Sequence, residues 1–378
     1  MKPNNNEERA YQQCTRCVMD TTASDITFDE QGVCNYCTEF LERSSHIIHE
    51  DPVQKEARLN ALVAEIKEAG RGKPYDCIVG VSGGVDSSWT LVEVKRLGLR
   101  PLAVHMDNGW NSELAQNNIA NLVRTLNVDL YTYVIDWEEY RALMQAFFDA
   151  DVIDIELLYD NAMLAVNYQQ ANKYGLKYIL AGTNQATEGI RIASGWNWFK
   201  YDKRNIQSIT KGVKLKTFPS IGTIDYIFFT ILKKIKWISL LDYTQYNKNT
   251  ALDELEEKYS YKKYPYKHYE SIFTRLYQGY ILPEKFGVDK RKTHLSTLII
   301  TGQLSRNRAL ELIENIPYPS IEDQNTDIKY FLKKMQWSEE KLIKYIKQPQ
   351  IAHNHYKTEK PLWDFCLSMY RLVNQRKY

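Results

Sequence analysis

Four short apolar runs, rich in branched side chains, recur through the middle of the chain. Each run is followed by glycine or polar residues. The runs occupy residues 77–81, 101–105, 131–135 and 177–181. Their length and composition are typical of strands buried on both faces of a parallel sheet.

Apolar residues spaced three and four apart predict helices between these strands. The predicted helices cover residues 51–70, 89–97 and 155–174. In the last of them, Glu156, Asp160 and Asn161 share roughly one side, which fits either a solvated helix face or part of a ligand site. The alternation of strand and helix predicts an α/β fold with a parallel sheet.

A more apolar stretch covers residues 224–241, but three lysines interrupt it at positions 233, 234 and 236. Charges at that spacing are costly inside a bilayer, so we expect an amphipathic or buried helix and no transmembrane segment. The first residues, MKPNNNEERAYQQ, are polar where a secretion signal would be apolar. A cytoplasmic location is therefore expected.

Composition places the chain among soluble globular proteins. It has 378 residues, of which 44% are hydrophobic and 25% charged, enough for two domains. The net charge of +2 argues against a protein built to coat nucleic acid. Residues 191–299 nevertheless hold 20 Lys and Arg against 10 Asp and Glu, which indicates an anionic partner for that segment.

Four cysteines form two pairs near the amino terminus, each with two residues between its members. They are Cys14, Cys17, Cys34 and Cys37. In a reducing compartment this spacing predicts a four-thiolate zinc site, and a complete ligand set indicates a structural Zn²⁺. Cys77 falls inside a predicted strand and Cys366 lies far from any motif.

A glycine turn separates the first predicted strand from the next helix. It consists of Ser82, Gly83, Gly84, Val85, Asp86, Ser87 and Ser88. Strand, glycine turn and helix start form an arrangement in which backbone N–H groups bind phosphate. The sequence SGGVDSS resembles the PP-loop of the N-type ATP pyrophosphatases. The resemblance implies cleavage of ATP to AMP and pyrophosphate, with Asp86 helping to hold Mg²⁺.

Polar residues also follow two other predicted strands. Asp107 ends the second strand, and Gly182 and Thr183 follow the fourth. Ligands bind at the carboxyl ends of strands in open α/β sheets, so we expect these residues to contact the nucleotide.

Basic and aromatic residues crowd together over residues 267–296. Such a mixture can bind a phosphorylated substrate that carries a ring, although amphipathic helices account for part of the pattern. The cationic candidates are Lys267, Lys285, Lys290 and Arg291.

Several blocks along the chain resemble the N-acetyl sugar amidotransferases of bacterial surface-polysaccharide synthesis, the family of WbpG and PseA. The blocks are TRCVMDTT, IVGVSGGVDSS, AGTNQATEG, LLDYTQYNK, KHYESIFTRLYQGYILPEKFGVDKRKTHLS and TGQLSRNRAL. The resemblance implies that an acetamido group on a nucleotide-activated sugar becomes an acetamidino group through an adenylated intermediate. In that reaction Asp86 and the four cations of residues 267–291 would be the catalytic candidates.

The same family implies a partner. Ammonia would come from a separate glutaminase of the histidine-biosynthesis type, acting with a barrel protein, because the chain shows no glutaminase motif of its own. The predicted division is a cysteine module at 1–50, a PP-loop domain at 51–200 and a mainly helical region at 201–378. A PP-loop tRNA thiolase and a non-catalytic scaffold that retains the ATP-binding loop remain alternatives.

Overall fold

A five-stranded parallel sheet lies at the centre of the molecule. The computed structural model describes residues 10–265 and 269–375. The strands are β1 Cys77–Gly80, β2 Pro101–Asp107, β3 Asp129–Val134, β4 Tyr178–Ala181 and β5 Lys236–Ser239. Their order is β3-β2-β1-β4-β5, and every neighbouring pair runs parallel. The predicted fold class is confirmed.

Helices connect the strands in the first half of the described chain. They are α1 Asn35–Ile48, α2 Pro52–Ala69, α3 Val85–Arg96, α4 Glu113–Leu126, α5 Trp137–Asp149, α6 Leu157–Lys173 and α7 Gln185–Glu188. The sequence explains where α2 begins. Asp51 accepts hydrogen bonds from the backbone N–H groups of Val53 and Gln54, and Pro52 occupies the first helical position.

The second half is mainly helical, as predicted. Its helices are α8 Lys203–Ile209, α9 Thr223–Ile227, α10 Lys248–Tyr259, α11 Ile272–Leu276, α12 Leu282–Phe286, α13 Arg291–Ile300, α14 Arg306–Glu314, α15 Ile321–Met335, α16 Glu339–Lys347 and α17 Lys360–Gln375. Wider π-helical turns follow α9 at Phe228–Leu232 and α11 at Tyr277–Ile281, and 3₁₀ turns cover Leu240–Tyr243 and His353–His355.

Successive residues of β1 enter different cores. Cys77 and Val79 pack on one face of the sheet with residues of α2, α3, α4 and α10, whereas Ile78 packs on the other face with α5 and α6. Both faces of β1 are therefore covered, which explains its continuous apolar run, whereas the edge strand β3 is largely exposed, against the prediction of burial on both faces.

The prediction of a single helix over residues 224–241 was wrong. Helix α9 and its π-helical turn end at Leu232, Lys234 adopts a left-handed backbone with φ 54°, and the chain then forms β5 beside β4. A left-handed residue cannot continue a right-handed helix, so the apolar pattern divides between a helix and an edge strand. No helix within the described residues is long and apolar enough to cross a bilayer.

The domain boundaries at residues 50 and 200 stay predictions. Strand β5 comes from beyond residue 200 and pairs with β4, so the sheet takes its last strand from the second half of the chain. The cysteine module also contacts that half, because Arg306 donates to the carbonyl oxygens of Cys14 and Cys17 at 2.9 and 3.0 Å.

Candidate active site

The loop between β1 and α3 is held in shape by its own hydroxyl groups. Ser82 Oγ and Ser87 Oγ lie 3.1 Å apart, and Ser87 Oγ donates to the carbonyl oxygen of Gly84 at 3.1 Å. Gly83 has φ +85°, and a Cβ atom there would lie 2.9 Å from the carbonyl oxygen of Ala115. Only glycine suits this position, so the turn places the start of α3 and its N–H groups at the carboxyl edge of the sheet.

Three tyrosines from the second half of the chain brace this loop. The hydroxyls of Tyr261 and Tyr264 each donate to the carbonyl oxygen of Gly83 at 3.0 Å. Tyr246 donates to Asp86, and burial followed by the charge of Asp86 raises the pKa of Tyr246. No role for these residues was predicted from the sequence, although Tyr246 lies in the block LLDYTQYNK.

A buried histidine connects the loop to the end of β2. His105 Nδ1 lies 2.9 Å from the carbonyl oxygen of Val81, and its Nε2 lies 3.1 Å from Asn111 Nδ2. Since the Asn111 nitrogen can only donate, Nε2 accepts and Nδ1 carries the proton. Burial lowers the pKa of His105, which favours this neutral form.

A cavity of about 390 Å³ opens above the loop. Its polar lining includes Ser82, Asp86, Ser87, Lys248 and Lys263, and its apolar lining includes Val81, Val85, Val104, Met106, Met163 and Trp237. The backbone of Gly84 and the side chains of Glu188, Glu270, Tyr159 and Asn167 also belong to the wall. The volume is in the range of small-molecule sites, and a wall with both polar and apolar residues suits a ligand with a charged tail and a flat ring.

The predicted strand-end residues take different places. Gly182 and Thr183 line the cavity, and a Cβ atom at Gly182 would lie 2.7 Å from the backbone nitrogen of Ser87, so glycine permits the close approach of β4 to the loop. Asp107 is not among the lining residues. It accepts hydrogen bonds from the Gly109 backbone and from Asn111, and it thereby orders the turn after β2.

Two loop residues predicted to contact the nucleotide are turned away from the cavity. Ser88 is 1% exposed and faces the core. Gly83 contributes its carbonyl oxygen to the two tyrosines. Both residues help to shape the loop.

The structure gives the predicted cations protein partners. Lys285 has no exposed side-chain surface, and its ammonium group contacts Asp151 and the carbonyl oxygens of Tyr345 and Gln348 at 2.6 to 2.8 Å. All three of its N–H donors are thereby used. Lys267 lies outside the described residues.

Arg291 and Lys290 are also paired. Arg291 binds both carboxylate oxygens of Asp289 and the carbonyl oxygens at the end of α14, and Lys290 lies 2.8 Å from Glu156. Lys285, Lys290 and Arg291, the predicted cations among the described residues, do not line the cavity. Lys248 and Lys263 line it instead, and neither was predicted from the sequence.

The polar residues at the start of α6 separate into different contacts. Glu156 accepts from Lys290 and Gln278, whereas Asp160 pairs with Lys200 at 2.8 Å. Asp160 keeps 36% of its side chain exposed, and burial raises its pKa. Its sequence neighbour Tyr159 lines the cavity.

Asn161, by contrast, is fully buried. Its Nδ2 atom donates to the carbonyl oxygens of Lys200 and Ile221, each at 2.7 Å. Its place is structural.

The four paired cysteines meet at one point. All are buried, and their sulfur atoms lie within 4.8 Å of one another, with close pairs at 3.7 to 3.9 Å. A tetrahedron with metal–sulfur bonds of about 2.3 Å has edges of about 3.8 Å. The sulfur positions therefore suit a four-coordinate ion of zinc's size.

Two comparisons with protein families cover different parts of the chain. Residues 56–196 match the family described as NAD synthase. Residues 270–370 match the family described as "LPS biosynthesis protein WbpG-like, C-terminal domain". The chain joins an ATP pyrophosphatase domain to a WbpG-like domain. The resemblances found in the sequence are confirmed. We use "WbpG-like domain" below for residues 270–370.

Individual relatives are more distant. A GMP synthase (glutamine-hydrolyzing) of Pyrobaculum aerophilum is 33% identical over 113 residues, which are 30% of this chain and 21% of that protein. This chain thus spans about a fifth of the length of that relative.

Two solved structures are similar to this chain at low sequence identity. NMN synthetase from Francisella tularensis is 14% identical, and the match covers 55% of this chain and 87% of that one with a TM-score of 0.30. NH₃-dependent NAD synthetase from Campylobacter jejuni is 15% identical over 57% and 98% of the two chains, also with a TM-score of 0.30.

Proposed function

We propose that this protein is the synthetase component of an ATP-dependent N-acetyl sugar amidotransferase. It would convert an acetamido group on a nucleotide-activated sugar into an acetamidino group in bacterial surface-polysaccharide synthesis. The observation that carries the proposal is the position of Glu270. This first residue of the WbpG-like domain lines the same cavity as the PP-loop.

Backbone hydrogen bonds attach the WbpG-like domain next to the nucleotide edge of the sheet. Ser112 N–H donates to the Glu270 carbonyl oxygen, and Ile272 N–H donates to the Trp110 carbonyl oxygen, each at 2.9 Å. Residues 110–112 follow directly on β2. A substrate held by the WbpG-like domain would therefore meet the nucleotide at this edge.

The polar residues that line the cavity suit the triphosphate. Backbone N–H groups at the start of α3 favour anions, and Lys248 and Lys263 add positive charge. Asp86 and Glu188 offer carboxylate oxygens, the ligands that Mg²⁺ prefers, in the same wall. When bound, Mg²⁺ would neutralise part of the phosphate charge.

The proposed reaction has two steps. The carbonyl oxygen of the acetamido group attacks the α-phosphorus of ATP, the bond to pyrophosphate breaks, and the amide N–H proton is lost. Ammonia then adds to the carbon of the O-adenylyl imidate, and AMP leaves with the former carbonyl oxygen. The products are an amidine, AMP and pyrophosphate, and preorganised donors at the phosphates would stabilise the charge that develops.

The start of α6 next to Tyr159 is our candidate for the sugar. Asp160 and Lys200 offer an acceptor and a donor there, and Lys290, which is 14% exposed, pairs with Glu156. Carboxylate and ammonium groups can both bind sugar hydroxyls. This arrangement supports a place for Lys290 near the substrate.

Ammonia would come from a separate glutaminase of the histidine-biosynthesis type, acting with its barrel partner. Within the described residues no thiol lines the cavity, and burial raises the pKa of Cys77, the cysteine of β1. We also propose that the four-cysteine cluster holds one structural Zn²⁺, because the sulfur geometry is closed.

Mass spectrometry tests the proposed reaction. The protein is incubated with ATP, Mg²⁺, ammonium and a panel of N-acetylated UDP- and CMP-sugars. We expect AMP and a sugar product about one mass unit lighter, the result of exchanging carbonyl oxygen for NH. If the acetamido oxygen is labelled with ¹⁸O, the label should appear in AMP. Release of ADP, or label in pyrophosphate, would contradict the mechanism.

A further inference from the structure

Asn167 on α6 has an unusual place in the cavity wall. Its side chain is 1% exposed, and its Nδ2 atom donates to the carbonyl oxygen of Met163 at 2.8 Å. Its Oδ1 atom accepts no hydrogen bond from the described protein. Of the described residues that carry a buried side-chain polar atom without a partner, only Asn167 lines the cavity.

The amide can adopt only this orientation. The Met163 carbonyl oxygen accepts and never donates, so a flipped amide would set two oxygens against each other. Gly80 lies opposite, and a Cβ atom there would come within 3.2 Å of Asn167 Oδ1. Glycine at this position avoids a contact with the oxygen that is tighter than ordinary van der Waals distance.

The cavity that Asn167 lines has apolar walls as well as polar ones. Val104 and Met106 of β2, Met163 of α6 and Trp237 of β5 line it together with the serines and lysines. A flat heteroaromatic ring fits such walls. A buried acceptor without a partner destabilises the empty site, and a ligand N–H group removes that cost.

We propose that Asn167 selects adenine over other purines by accepting a hydrogen bond from the 6-amino group of the base. The proposal deepens the proposed use of ATP and rests on it. Hypoxanthine and guanine present a carbonyl oxygen at that position, so they would place an acceptor against an acceptor.

The test measures equilibrium binding of three Mg²⁺–nucleoside triphosphates by calorimetry. ATP carries the amino group, ITP carries an oxygen, and purine riboside triphosphate carries neither. We expect the intact protein to bind ATP about tenfold more tightly than purine riboside triphosphate, and ITP more weakly still. In Asn167→Leu the preference for ATP should fall close to onefold.

Gln170→Leu is the matched control. Gln170 lies on the same helix, and its Oε1 atom is also buried without a partner, but it does not line the cavity. This variant should keep the ATP preference of the intact protein.

Three results would overturn the proposal. They are equal binding of ATP and purine riboside triphosphate by the intact protein, an unchanged preference in Asn167→Leu, and an equal loss in Gln170→Leu. The first needs no variant to fold. If the intact protein prefers ATP but forms no amidine from the sugar panel, the proposed function fails while the role of Asn167 stands.

Discussion

The four-cysteine cluster and the nucleotide cavity use the same kinds of groups in opposite ways. In the cluster, backbone N–H groups of Cys17, Met19 and Cys34 point at sulfur atoms, and all four cysteines are buried. In the nucleotide cavity, the hydroxyls of Ser82 and Ser87 contact each other, and the cavity itself has a volume of about 390 Å³. Metal binding at the four-cysteine cluster would stabilise the fold, whereas the nucleotide cavity is built to bind a ligand.

Breaking the cluster should give the largest effect. Cys34→Ser or chelation should remove the metal and lower the free energy of unfolding, by up to about 10 kcal/mol for complete loss of a structural zinc ion. Metal analysis and denaturant titration measure both. Cys366→Ser makes the same substitution outside the cluster and should keep about one zinc per chain. A native protein without zinc would contradict the assignment.

Lys285 extends the comparison, because it is a cation of the basic run that is buried like the cluster. Lys285→Met leaves Asp151 without its partner and should lower the free energy of unfolding by about 3 to 5 kcal/mol. Adding Asp151→Asn should restore part of this loss. Normal stability together with a raised KM for the sugar would instead place Lys285 at the substrate.

The cavity side of the comparison is sharpest at Asp86. Asp86→Asn should slow AMP release by about 10²- to 10³-fold while the thermal midpoint stays close to that of the intact protein. Tyr246→Phe is the control, because it removes only the hydroxyl that donates to Asp86, and it should cost tenfold at most. Equal losses in the two variants would assign the effect to loop shape.

His105 should give the smallest effect, a pH dependence of stability. Its pKa lies below the ordinary value of 6.5 because burial disfavours the charged form. The neutral ring therefore stabilises the fold fully above pH 6.5, and this contribution is lost as pH falls towards the folded-state pKa. Denaturant titration from pH 7.5 to 5 checks this. His105→Gln should show a weaker dependence, and an identical slope would exclude His105.

The sequence predicted what local patterns determine. A few consecutive residues are enough to predict each of strands β1 to β4, the PP-loop and the cysteine pairs. The loop positions followed because glycines and serines at a strand end have few other uses. Strand β5 was missed because periodicity alone does not distinguish a short apolar strand from a segment of a buried helix.

The rest of the candidate site depends on contacts between distant parts of the chain. Tyr261 bonds to Gly83 across 178 positions. Asp151, which pairs with Lys285, lies 134 positions away in the sequence. Residues 267–296 alone therefore predict a cationic pocket, because the carboxylates that pair with Lys285 and Lys290 lie elsewhere in the chain. Spacing along one sequence carries no information on such pairings.

The attachment of the cysteine module separates two events in time. The sixteen residues between Cys17 and Cys34 leave the ribosome together, so the metal ligands are complete early in synthesis. The module's docking partner, Lys292, pairs with Asp20 across 272 positions. At about 5 to 20 residues per second, that partner is synthesised roughly 14 to 54 s later. The nascent module therefore exposes the surface on which α13 and α14 later pack, and its four thiols are synthesised before the WbpG-like domain.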